Sequence, residues 1–404
     1  MICAQGVMFY GFGILFNAIL GEFNWSRALT SSIFSVQISI NSLFIILMGY
    51  LIDRYSPRLL IGIGTIFLSA GHILSSLTQE IWHLYLFFGI IVGIGTSTMY
   101  MPPLTVVTRW FEKKRGLALG IAVTGIGIGG FLGAPFINWL IQSFGWRTAL
   151  PILGIATGSL VFIAAMVLIG YPEEKGLKPY GVETPQGALQ LKSSPNPQNQ
   201  TFQWERSTEL DWKVWSAIKT RVFFILFLML FFAEIALVGV MAHLFTYATE
   251  NGLPKHVVSW SYGVIGITSL VGKIGIGALS DRIGRKAAFL LSFVLNGTAF
   301  IFLLPAPNIL FLYIFAATLG LSYGGWTPLF PAIVGDYFGL GSMGKIFSIL
   351  TITYCLGGIF GPIMAGWIFD RMGSYFWAFL IFSIVCYLAT ILSLFLKAPE
   401  KNGT

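Results

Sequence analysis

The sequence predicts an all-α integral membrane protein: twelve transmembrane helices in two pseudo-symmetric six-helix bundles. Three observations predict it. Of the 404 residues, 56% are hydrophobic and only 10% are charged, whereas a soluble domain carries about 25% charged residues. That much apolar surface cannot be hidden in one water-facing core. The apolar residues also come in continuous runs of about 20, the length that crosses a bilayer as a helix. A membrane β-barrel would alternate apolar and polar residues, and in lipid the backbone must satisfy its own hydrogen bonds. Finally, landmarks recur at a near-constant offset. Asp53 and Asp281 are 228 residues apart, Gly93 and Gly320 are 227, Trp110-Phe111 and Tyr337-Phe338 are 227, and Gly145-Trp146 and Gly373-Ser374 are 228. An offset kept over six spans makes one half a copy of the other. The two are related by an axis along the membrane normal, with a cavity between them.

In order, the first six spans are read at 1–21, 29–51, 58–77, 82–107, 116–141 and 148–170, and the last six at 222–247, 257–279, 286–304, 308–334, 345–369 and 375–396. The N-terminal bundle is thus 1–170 and the C-terminal bundle 222–396, with an inner linker at 171–221 and a tail at 397–404. No basic segment precedes the first apolar run, so it reads as a retained span rather than a cleaved leader. It begins at Met1 itself, which leaves open a helix start further upstream. Connections such as Pro305-Ala-Pro-Asn308 are short. The linker, with Ser193-Ser-Pro-Asn-Pro-Gln-Asn-Gln200, is polar and reads as flexible chain. Its end, Leu210-Asp-Trp-Lys-Val-Trp-Ser-Ala-Ile-Lys-Thr220, is predicted to lie as a short helix on the inner leaflet. The glycosylation-like Asn199-Gln-Thr falls on the inner side and reads as a chance match.

The net charge of +8 has a topological source rather than a nucleic-acid partner. Outer loops hold only Arg27, Arg147, Lys255 and Arg371, Lys273 lies within a span, and the remaining Lys and Arg fall in inner loops and ends. This bias follows the positive-inside rule and puts both termini in the cytoplasm, in a multi-pass protein of the plasma or inner membrane. Cys3, Cys355 and Cys386 sit in apolar runs and read as small buried hydrophobes, not a disulfide framework.

Two charges interrupt the apolar runs. Lys273 is about two helical turns inside Asp281, at a rise of about 1.5 Å per residue, and its counterpart one repeat earlier is Ile45. A lysine at the centre of a membrane helix costs roughly 2.5–3.5 kcal/mol on insertion scales, so it is paired, hydrated or functional unless it snorkels to the inner surface. Glu234, in Phe231-Phe-Ala-Glu234-Ile-Ala, is the other. Burial without a partner favours the neutral carboxyl, which suits a proton carrier. Neutralisation of Lys273 and polar contact between helices are the competing roles. Asn17, Gln37, Asn41, His72 and His243 read as cavity-wall groups or interhelical hydrogen bonds. Gly125, Gly127, Gly129, Gly130 and Gly133 read as a close-packing, rocking surface. They do not form a phosphate loop, which needs a preceding strand and a following Lys-Ser/Thr. The histidines His72, His83, His243 and His256 are scattered, with no metal-ligand cluster and no nucleophile–base grouping, so an enzyme and a cofactor are not expected.

The loops Gly49-Tyr-Leu-Ile-Asp53-Arg54-Tyr-Ser-Pro-Arg58 and Gly277-Ala-Leu-Ser-Asp281-Arg282-Ile-Gly284-Arg285-Lys286 resemble the loop signature of the major facilitator superfamily. Arg109-Trp-Phe-Glu-Lys-Lys-Arg-Gly-Leu-Ala-Leu-Gly120, Glu22-Phe-Asn-Trp-Ser-Arg27 and Phe360-Gly-Pro362 are similar to its monocarboxylate transporter and oxalate/formate antiporter branch. The likeness covers nearly the whole chain. It implies that Asp53 and Asp281, with Arg54, Arg58, Arg282 and Arg285, face a helix N-terminus of the opposite half and close the inner side. A carboxylate so placed is stabilised by roughly 0.3–1 kcal/mol. It implies that Lys273 stands where the branch's arginine binds the substrate carboxylate, though an ammonium lacks the flat two-point contact of a guanidinium. It also implies that Tyr100 and Tyr323 shape the cavity, and Tyr354 and Asn17 are read beside them as substrate-binding candidates. Tyr354 falls where the oxalate/formate type carries a lysine, so this chain has one cation where two carboxylates prefer two. The expected function is secondary transport of a small monocarboxylate such as lactate or pyruvate, with a proton carried through Glu234, by a monomer in the lipid bilayer. Anion plus proton is electroneutral and avoids about 2.3 kcal/mol per charge per 100 mV. The alternatives are an oxalate/formate-type anion antiporter and a membrane sensor that binds without transport.

Overall fold

The computed structural model describes residues 1–52, 54–181, 212–305 and 308–399. Asp53, Asn199 and the middle of the linker lie outside the described residues. The first bundle comprises α1 (Ile2–Phe23), α2 (Arg27–Leu51), α3 (Pro57–Ser75), α4 (Ile81–Trp110), α5 (Arg115–Phe144) and α6 (Trp146–Val167). The second comprises α7 (Arg221–Glu250), α8 (Lys255–Ile283), α9 (Arg285–Ile301), α10 (Ile309–Phe338), α11 (Leu340–Leu350 continued as Ile352–Met372) and α12 (Phe376–Leu394). Among the described residues, eleven helices are long and apolar enough to cross a membrane. The twelfth, α9, has 17 residues. It gains a further turn from tight bonds of Phe302, Leu303 and Leu304 to the carbonyls three residues back.

Local chemistry sets the ends. Ser26, Ser56, Thr220 and Asn308 cap α2, α3, α7 and α10 by accepting a backbone N–H three residues on. Gly145, Gly284 and Gly339 each end one helix and begin the next at φ of 76°, 86° and 85°, a backbone that a side chain would strain.

Three expectations shift in the structure. The fourth span is not one regular helix. Tyr85–Val92 is π-helical, and the chain breaks at Thr98–Tyr100 before Pro102 and Pro103 restart it as Met101–Trp110. Pro at the first turn fits because its missing N–H has no intrahelical partner there. The eleventh span breaks at Thr351. The surface helix expected at 210–220 shrinks to Val214–Ala217, anchored where Trp212 donates its N–H to the Phe338 carbonyl at 3.1 Å.

Within the first bundle α1 packs on α5 and α3 on α6; within the second α8 packs on α10, α7 on α11, and α9 on α10 and α12. The halves meet along α2–α11, α5–α8 and α1–α7. At the α5–α8 crossing Gly127 and Gly266 lie backbone to backbone: a Cβ on Gly127 would stand 2.6 Å from the Gly266 oxygen, and one on Gly266 would strike the Gly127 oxygen. One face of the molecule bears both termini. Gly49, Gly120, Gly275 and Gly277 have open space where a Cβ would stand, and Leu43, Ile46, Leu47 and Tyr50 are exposed. The opposite, far face is closed.

We expect Gly127→Val to overpack the crossing by about 1–3 kcal/mol. The purified variant should melt at a lower temperature, while Gly49→Ala, which adds a methyl to open space, should melt unchanged.

Candidate functional site

Six helices bring polar groups to the same depth, about halfway along their lengths. α8 supplies Lys273, α7 Glu234, α10 Tyr323 and Trp326, α1 Tyr10, α11 Tyr354, and the break in α4 supplies Tyr100. Small residues make this convergence possible. A Cβ on Gly324 of α10 would press on the Lys273 backbone nitrogen at 2.8 Å, and one on Gly357 of α11 would press on the Glu234 carbonyl carbon at 2.8 Å. Each charged residue thus sits where its helix is gripped by a neighbour's glycine.

The cluster is built of unsatisfied groups. Lys273 Nζ is buried and has no hydrogen-bond partner among the described residues, and it stands 5.7 Å from the centroid of the Tyr323 ring. Such a cation–π contact is attractive but leaves the ammonium's three donors free. Glu234 is 8% exposed, and its Oε2 is buried without a partner. Lys273 and Glu234 therefore do not pair with each other here. The Tyr10 hydroxyl is buried and unbonded beside Ser269, one turn before Lys273. Trp326 Nε1 is likewise unbonded, its ring edge-on to Tyr323 at 5.5 Å. Tyr10, Tyr100, Glu234 and Tyr354 all lie within electrostatic reach of the Tyr323 hydroxyl. A buried polar group without a partner costs roughly 1–3 kcal/mol, and native proteins keep few of them. Chemically, a buried ammonium beside free N–H and O–H donors can accommodate a small anion.

Of the substrate residues read from sequence, Lys273, Tyr100, Tyr323 and Tyr354 come together here with Glu234. Asn17 does not join them. It lies two turns further toward the far face, where its Nδ2 donates to Thr246 Oγ1 at 3.3 Å and ties α1 to α7. Gln37 and Asn41 both donate to Thr96 Oγ1, at 3.1 and 3.0 Å, inside the first bundle. Among the described residues, the loop-signature contacts of Arg54, Arg58, Asp281 and Arg285 stay within their own halves. Arg285 meets Asp281 at 3.3 Å and Asp336 at 3.2 Å. Arg58 donates to the Leu168 carbonyl, Arg54 lies 4.5 Å over the Tyr50 ring, and Arg282 is exposed at the end of α8.

Two groups escaped the sequence reading. Tyr10 and Trp326 look like any membrane aromatic. The far-face closure rests on Arg27. Its guanidinium grips Glu250 at 2.6 and 2.8 Å, donates to the Tyr375 hydroxyl at 2.9 Å and covers the Phe369 ring at 3.4 Å. Asp370 of α11 accepts the first two N–H groups of α2, from Arg27 and Ala28, both at 2.9 Å. A carboxylate facing a helix N-terminus of the opposite half was expected of Asp281; on the far face Asp370 makes that contact. A signal was present: Gly366-Trp-Ile-Phe-Asp370-Arg371-Met-Gly373 repeats the spacing of Gly277-Ala-Leu-Ser-Asp281-Arg282-Ile-Gly284.

The family profile described as Major Facilitator Superfamily matches residues 1–254 and again 229–404. Among curated proteins, monocarboxylate transporter 12 of Xenopus laevis is 28% identical over 366 residues, covering 88% of this chain and 78% of that protein. Monocarboxylate transporter 13 of Rattus norvegicus is 25% identical over 374 residues, covering 92% and 80%. Monocarboxylate transporter 14 of Homo sapiens is 25% identical over 443 residues, covering 95% and 86%.

Proposed function

The chain belongs to the Major Facilitator Superfamily, and from that premise we propose that it carries a small monocarboxylate, of the lactate or pyruvate kind, across the membrane together with a proton. It is a transporter, not an enzyme. The observation that carries the substrate reading is the Lys273 ammonium, buried at mid-depth without a hydrogen-bond partner among the described residues and facing the Tyr323 ring. One cation with neutral donors matches one carboxylate. Tyr354, where a second cation would serve a dicarboxylate, is neutral. Glu234, the one acid in the cluster, is the proposed proton carrier. Its burial without a partner supports a neutral carboxyl that ionises only when the site reorganises.

We place the terminal face in the cytoplasm of a plasma or inner membrane, in keeping with the basic inner loops. The halves 1–170 and 222–396, joined by 171–221, then rock about the Gly127–Gly266 crossing, and the described state is closed on the far face. The relatives' names, monocarboxylate transporters 12, 13 and 14, support the substrate class. Uptake of labelled lactate, pyruvate and oxalate into proteoliposomes, and counterflow with and without a pH gradient, tests the proposal. Gradient-driven uptake of the monocarboxylates supports it. Obligatory oxalate exchange with no response to the gradient rejects it in favour of an antiporter.

Asp281 should act in the opposite state, closing the cytoplasmic side. Asp281→Asn should therefore enlarge the cytoplasm-open population, and a cysteine at Gly120 should react faster with a maleimide applied from that side. An unchanged rate would remove Asp281, and by likeness Asp53, from the gate.

A further inference from the structure

We infer that His243 is a proton-binding site of its own, distinct from the mid-membrane cluster, whose neutral form is required for the far face to close. His243 lies on α7 and is wholly buried. Its Nε2 is 2.9 Å from the Pro362 carbonyl oxygen and its Nδ1 is 2.8 Å from the Tyr375 hydroxyl. A carbonyl only accepts, so Nε2 carries the hydrogen. A guanidinium only donates, so the Tyr375 oxygen accepts from Arg27 Nη1 at 2.9 Å. The Tyr375 hydrogen is then left for Nδ1. The bonds run one way: Arg27 to Tyr375, Tyr375 to His243, His243 to the Pro362 carbonyl.

That chain exists only while Nδ1 is bare. A proton on Nδ1 would point at a phenol oxygen already taken by Arg27, displace the phenol hydrogen, and set an imidazolium one hydroxyl away from a guanidinium.

Among the described residues, the surroundings offer no compensation. α2 brings Arg27, α12 brings Tyr375, and α1 brings the Phe16 ring, edge-on at 4.8 Å. From α8, Tyr262 is committed, donating to the Met241 carbonyl and accepting from the Phe245 N–H. On α7 itself the Tyr247 hydroxyl bonds the Leu303 carbonyl and Glu250 holds Arg27. On α11, Asp370 holds the start of α2. Both nearby carboxylates already serve the closed gate.

The sequence of events follows. When the far face opens, Arg27 withdraws and water reaches Tyr375 and His243. The imidazole takes a proton from that water and must return it, to water or to a passing carboxylate, before Arg27 can close over Tyr375 again. Acid on the far side therefore holds that side open. This gate titrates whether or not a carboxylate is the cargo, so it stands apart from the substrate reading.

The test is a distance measurement without substrate. Spin labels on cysteines replacing Gly21 and Lys255, both exposed on the far face of opposite halves, are placed in a chain with Cys3, Cys355 and Cys386 changed to Ser. Double electron–electron resonance in nanodiscs is compared at about pH 7.5 and about pH 5.5, either side of the ordinary histidine range. The parent chain should gain a several-fold larger long-distance population at acid pH. His243→Gln, whose amide can donate to Pro362 and accept from Tyr375 but cannot titrate, should stay closed at both values. Tyr375→Phe, which keeps His243 but cuts its link to Arg27, should flatten the response as well. An equal acid shift in His243→Gln, or no shift in the parent chain, overturns the inference.

Discussion

Lys273→Gln should lower monocarboxylate uptake about 30-fold or more. Truncating one partner of a buried, hydrogen-bonded charge pair costs about 2–5 kcal/mol, and each 1.4 kcal/mol is about tenfold. Glutamine is one bond shorter, keeps two donors and removes the charge, and among the described residues nothing in the cluster replaces it: Tyr10, Tyr323 and Trp326 are neutral, and Glu234 carries no positive charge in either form. The measurement is the initial rate of labelled lactate entry into proteoliposomes, normalised to incorporated protein. Lys273→Arg is the control, since it restores a cation and adds a planar fork suited to a carboxylate, and it should keep substantial uptake. Normal uptake by Lys273→Gln would take the substrate away from Lys273 and leave the lysine a purely structural role.

Glu234→Gln should separate transport from its driving force. The amide has the carboxyl's shape but no proton to release. For one proton per anion, a gradient of one pH unit supports about tenfold accumulation. The parent chain should approach that ratio, and Glu234→Gln should stop at equal concentrations inside and out. Counterflow exchange, which needs no net proton movement, should survive in the variant. Full pH-driven accumulation by Glu234→Gln rejects the carboxyl as the carrier. Loss of both activities assigns it to binding instead.

The bundle was legible because membrane imposes simple rules on composition. Apolar runs mark helices, basic loops mark a side, and the offset from Asp53 to Asp281 marks the repeat. Interruptions inside a run were harder to read. Pro102 and Pro103 signalled the break in α4, yet the run stays apolar across it, and the π-helical stretch Tyr85–Val92 has no mark in residue type at all. In the site, Lys273 and Glu234 stood out because charge in a lipid-length run is expensive. Tyr10 and Trp326 carry no such cost in sequence, and only the fold shows their donors without partners. Asn17 was placed by type and depth, and its bond to Thr246 puts it nearer the far-face seam. Arg27 was read as a loop charge. Its role depends on Glu250, Asp370 and Tyr375, more than 220 residues away in the chain, and no local pattern around Arg27 announces them.

The most direct test of the account is lactate uptake into proteoliposomes holding the purified chain, with an inward proton gradient imposed and then abolished. The account predicts accumulation above the outside concentration with the gradient, equilibration without it, and neither beyond background for Lys273→Gln. Uptake that ignores the gradient and persists in Lys273→Gln would contradict it.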